Sequence, residues 1–110
     1  MNEQEILKAV SEFVEEYGST VKDGADVCAI FDHLNSLMSD DICFDQLNNV
    51  EDPLQSGSVC VSYFSDKLGK RIILDSDDAY WFDDIAGLVQ NVVGWQAEAR
   101  ALEARLPAKN

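Results

Sequence analysis

The apolar positions of this chain repeat with a helical period at both ends and with an alternating period in between. Ile6, Leu7, Val10, Phe13, Val14 and Tyr17 recur in steps of three and four, which draws one apolar stripe along a helix. Asn2 with Glu5 three positions later has the form of a capping box, and Gly18 supplies the left-handed residue that commonly ends a helix. A first helix is therefore expected over 3–17. Val27, Ile30, Phe31, Leu34, Leu37 and Met38 repeat the pattern, with Asp23 or Asp26 as cap, and predict a second helix over 26–38.

The period changes near Asp40-Asp41. Ile42 and Phe44 alternate as in a strand over 42–47, and the stretch from Asn48 to Gly57 is rich in turn-forming residues. The strand predicted at 58–65 is clearer: Val59, Val61 and Tyr63 share one face, and Cys60, Ser62 and Phe64 the other. Asp66 to Gly69 suits a hairpin turn, and the chain returns as a third strand over 70–75 around Ile72-Ile73-Leu74. A lone hairpin is marginal in water, so a third strand or a helix must cover one face.

Asp75-Ser76-Asp77-Asp78 places capping residues ahead of a last apolar stripe: Trp81, Ile85, Leu88, Val92, Trp95, Ala99, Leu102 and Leu106. The expectation is a long helix over 78–105. Such a helix would run about 43 Å at the standard rise, whereas a compact domain of this size spans roughly 34 Å. It should overhang, bend at Gly87 or Gly94, or meet a second chain through Trp95, Ala99, Leu102 and Leu106. The class read from the pattern is α+β: three helices and a small antiparallel sheet of two to three strands, in one domain over 1–110.

Composition adds the sign of the surface. The 110 residues hold 21 acidic and 8 basic side chains, a net charge of −13. No Lys or Arg lies between Asp23 and Asp66, nor between Ile72 and Ala99, although carboxylates are frequent in both stretches. Phosphate neutralisation needs basic residues, so direct binding to nucleic acid and docking on anionic membranes are both disfavoured. A surface of this sign is complementary to a basic partner, and high charge also keeps a small protein soluble.

Candidate chemistry is sparse. Cys28, Cys43 and Cys60 lack the close pairing of a zinc site. His33 is the only histidine, and its neighbour Asp32 diverges from it on a helix. Asp75-Ser76-Asp77 begins like a calcium loop, but Tyr80 and Ala86 stand where that loop needs Gly and Glu. No phosphate-binding loop or nucleophile elbow is present. Lys67, Lys70 and Arg71 form a basic cluster at the hairpin, expected to serve as internal salt-bridge partners. No cofactor or metal is expected.

The start of the chain lacks a basic region followed by an apolar run, and no stretch approaches the length of a membrane span. A cytoplasmic protein with reduced thiols is expected. The favoured function is a non-enzymatic, protein-binding inhibitor or regulator of anti-defence or immunity type. It would present carboxylates to a basic, nucleic-acid-handling partner, in the manner of a nucleic-acid mimic. Asp40, Asp41, Asp77, Asp78, Asp83 and Asp84 are the expected contact residues, together with Trp81. The alternative is a structural, adaptor or chaperone-like module that homodimerises through its long C-terminal helix.

Overall fold

A computed structural model describes residues 1–38, 42–46 and 59–107. The order of elements is α1 (Glu3–Tyr17), α2 (Gly24–Leu37), β1 (Cys43–Gln46), β2 (Val59–Ser65), β3 (Lys70–Asp77) and α3 (Ile85–Arg105). The three strands form one antiparallel sheet in the order β1-β2-β3. The α+β class is as the residue pattern predicts.

Local signals place the first two helices. The Asn2 side chain accepts a hydrogen bond from the Glu5 backbone N–H at 2.9 Å, and the Asn2 backbone N–H donates to Glu5 Oε1 at 3.0 Å. This reciprocal box satisfies two otherwise orphan donors. Gly18 ends the helix at φ +62°, a conformation that costs any residue with a Cβ. Asp23 caps α2 by accepting from the N–H groups of Ala25 and Asp26, so the helix begins two residues earlier than the apolar stripe suggests.

The helices cover the sheet face that carries Phe44, Val59, Val61 and Tyr63. α2 lies against β1, α3 against β2 and β3, and α1 bridges α2 and α3. At the centre, four aromatic rings from four separate segments meet. Phe31 stacks on Phe44 with centroids 4.1 Å apart. Trp95 stands edge-on to Phe31, Phe44 and Tyr80 at 6.3, 5.9 and 5.5 Å. Edge-to-face pairs at such distances add to simple area burial. Asn35 ties the same region together: its amide donates to the Phe44 carbonyl at 2.5 Å, and its carbonyl accepts from the Phe44 N–H at 2.8 Å. One side chain thus acts as the missing strand neighbour for the outer edge of β1.

α3 departs from the predicted helix at its start and in its environment. Residues 75–77 belong to β3 and 78–84 are non-helical, so the helix begins at Ile85 instead of 78. At 21 residues it runs about 32 Å, which removes the misfit of length. Trp95 and Ala99 are buried in the core of their own chain, and Leu102 packs against that core half-buried. Leu106 is half-buried too. The surplus apolar stripe is therefore occupied within the chain.

A polar clamp holds the far end of this helix. Glu103 accepts from the Lys67 backbone N–H at 3.0 Å and from the Tyr63 hydroxyl at 3.2 Å, while the Lys67 ammonium donates to the Leu106 carbonyl at 2.8 Å. The basic hairpin residue is thus an intramolecular partner, largely through backbone groups. Gly69 closes the turn at φ +66°, and its N–H donates to the Ser65 carbonyl at 2.7 Å. The Lys67 N–H, aided by the Ser65 and Tyr63 hydroxyls, holds the Glu103 carboxyl below its ordinary pKa.

Two measurements follow from this packing. Phe31 is 1% exposed at the aromatic centre, so Phe31→Ala should lose about 3–5 kcal/mol in chemical denaturation; a loss under 1 kcal/mol would show the ring cluster is not the keystone. Because the folded pKa of Glu103 is depressed, its contribution is present above the ordinary carboxylate pKa and fades as pH falls through the folded value. Glu103→Gln should therefore melt below the wild type at neutral pH, with the two melting temperatures converging in acid.

Candidate interaction surface

The residues linking β3 to α3 carry the most distinctive local sequence, Asp77-Asp78-Ala79-Tyr80-Trp81-Phe82-Asp83-Asp84. Their backbone is held at three places. The Tyr80 hydroxyl donates to Asp75 Oδ2 at 2.8 Å, and its ring joins the aromatic centre. The Phe82 N–H donates to the Val21 carbonyl at 2.7 Å, docking the segment on the α1–α2 loop. Asp84 caps α3 by accepting from the Gly87 N–H at 2.7 Å. Gly24 gives the loop room for this approach: a Cβ there would lie 3.1 Å from that of Ala79.

These anchors turn Tyr80 inward and leave Phe82 half-buried. Trp81, between them, points outward and is 65% exposed. Asp77, Asp78, Asp83 and Asp84, which flank it in sequence, are all exposed. The aromatic triplet thus divides its labour, with two rings in the fold and one on the surface. A large exposed aromatic rimmed by charge has the composition of an interface anchor.

The carboxylates here are not equivalent. Asp84 is a helix cap, Asp75 is the partner of Tyr80, and Asp77 accepts from the Asp78 N–H at 2.7 Å. Asp83 has no hydrogen-bond or ion-pair partner among the described residues. Burial, followed by the Asp75 hydrogen bond, pushes the Tyr80 hydroxyl far above its ordinary pKa, so it remains a donor. Asp40 and Asp41, also expected as contact residues, lie outside the described residues. The expected helix cap at 75–78 is replaced by Asp84, whose carboxylate accepts from the Gly87 N–H in the first turn of α3. Doublet spacing could not decide between the two positions; the β3 ladder did.

The remaining chemistry is dispersed. Cys60 is buried, Cys28 and Cys43 are half-buried, and all three are free. Burial is the main cause raising each thiol pKa, which disfavours the reactive thiolate. His33 stacks on Phe13 at 5.0 Å, and Phe13 in turn contacts Tyr17 at 4.6 Å. This ring row was visible only as part of the α1 stripe. A groove of about 430 Å³ lies at the other end of β2, between Tyr63, Phe64 and α3. Its rim carries Arg100 against Asp66 and Glu103, so its charges select no one ligand sign.

Known proteins offer no parallel. No family model, no curated protein and no solved structure matches this chain.

The capping assignment has a direct check. Asp84→Ala should cost about 1 kcal/mol in equilibrium unfolding, while Asp84→Ser should be close to neutral because serine also caps. Asp83→Ala should stay within roughly 0.5 kcal/mol, as for a surface group without partners. Equal losses at 83 and 84 would remove the cap.

Proposed function

We propose that the protein is a non-enzymatic, protein-binding inhibitor or regulator that presents carboxylates to a basic, nucleic-acid-handling partner. The observation that carries this reading is Trp81: a large ring, 65% exposed, flanked in sequence by the exposed Asp77, Asp78, Asp83 and Asp84 on a backbone anchored at both ends. Tryptophan is among the residues most often found as binding anchors. Its face also attracts Lys and Arg, which the surrounding carboxylates would steer toward it. The absence of basic residues from Ile72 to Ala99 keeps this field of one sign along the sequence. Rows of carboxylates of this kind imitate the charge of a nucleic-acid backbone, the basis of the anti-defence or immunity-type role.

Immobilised protein should retain a basic protein from nuclease-treated bacterial lysate, released by moderate salt and displaced by added DNA or RNA. Retention should disappear with Trp81→Ala combined with Ser at 77, 78, 83 and 84, in which position 84 keeps its cap. Capture of the same proteins by that folded variant would remove this surface from the function.

A further inference from the structure

We infer that the outer edge of β3 is a self-pairing surface whose partner is a second copy of this chain. β3 is the terminal strand of the sheet, and among the described residues no other element pairs with its outer edge. Such an edge offers a row of backbone donors and acceptors to another strand. The opposite edge of the sheet differs, because the Asn35 side chain occupies β1 at Phe44.

The order of side chains along β3 says what fits. It begins with Lys70-Arg71, continues through Ile72-Ile73-Leu74, and ends with Asp75-Ser76-Asp77. All the charged members are exposed, and Ile73 is 60% exposed. Charged side chains commonly protect an edge from association, most effectively where pairing would set like charges opposite one another. β3 carries opposite signs on its two halves. An antiparallel two-fold pairing lays the basic half of each copy beside the acidic half of the other, and closes as a dimer without leaving a further edge from β3.

The faces allow one natural register. Through their β2 partners, Lys70 opposite Ser65 and Asp77 opposite Val59 project from the same side as Tyr63 and Val61. Pairing Lys70 with Asp77 of the second copy therefore joins side chains on one face, and the symmetry repeats the contact. Arg71 then faces Ser76 on the other side, and the two Ile73 side chains come beside the axis. The register shift in β3 opposite Val61 and Ser62 falls at that axis; because a bulge disrupts the ladder locally, the pairing is carried by the halves on either side of it. Asp77 belongs to the proposed partner surface as well, but Trp81, Asp83 and Asp84 lie outside β3, so Lys70→Asp and Ile73→Lys test the pairing without altering that surface.

Pairing of one edge strand buries little area, so the dimer belongs to the weak, concentration-dependent class. Two copies each of charge −13 also repel one another at long range. Screening at physiological salt acts beyond about 8 Å, whereas directly opposite cross-strand side chains sit roughly 5 Å apart. Moderate salt should thus strengthen self-association, the reverse of its effect on a basic partner.

Sedimentation equilibrium across a concentration series tests this. The wild type should shift from monomer toward dimer, more so at physiological than at low salt. Lys70→Asp and Asp77→Lys should each remain monomeric, and the double variant should recover the dimer by exchanging the charges. Ile73→Lys, an exposed substitution that keeps the fold by circular dichroism, should also remain monomeric. Backbone amides of β3 should exchange more slowly as concentration rises. A wild type monomeric throughout the series, or a dimer indifferent to the single variants, would overturn the inference.

Discussion

The contact on which the rest of this fold depends is the meeting of Trp95 with Phe31, Phe44 and Tyr80. The four rings come from α3, α2, β1 and the segment before α3, so one cluster joins both layers of the domain. In a chain this short no second core of comparable size is available to compensate for its loss. The reciprocal Asn35–Phe44 hydrogen bonds give the same place directional control, because a buried edge strand must satisfy its backbone as well as its side chain.

The surface of interest is a consequence of that core. Tyr80 enters the ring cluster and donates to Asp75, and Phe82 donates its N–H to Val21. Between two inward residues on a non-helical backbone, Trp81 has only the outward direction left. Its exposure is thus enforced by local geometry, yet the choice of the largest apolar side chain there is not required by the fold. That surplus is what the functional reading rests on.

Charge works at three scales. Individual acids do structural work as caps and acceptors, at Asp23, Asp26, Asp84 and Glu103. The collective excess sets the long-range field and the sign of any partner. Within β3, however, basic and acidic halves lie along an edge that no other described residue pairs with, a pattern that net charge conceals.

The helical and alternating periods were legible because burial of one face repeats at 3.6 or 2 residues, and α1 and β2 needed nothing further. The two faces of β2, the capping box at Asn2 and the left-handed Gly18 and Gly69 follow from residue chemistry within a few positions. The start of α3 was not legible. Its heptad-like spacing extends back to Trp81, and only the pairing of β3 to Asp77, with the fixing of Tyr80 and Phe82 to distant elements, ends that continuity. The same holds for Trp95 and Ala99, whose stripe suited another chain as well as their own. Periodicity states that a face must be covered; which surface covers it is decided by contacts between residues far apart in the chain. The sequence by itself determined the elements, the class and the sign of the charge. The tertiary structure alone decided which ring is core, which is surface, and which strand edge has no partner among the described residues.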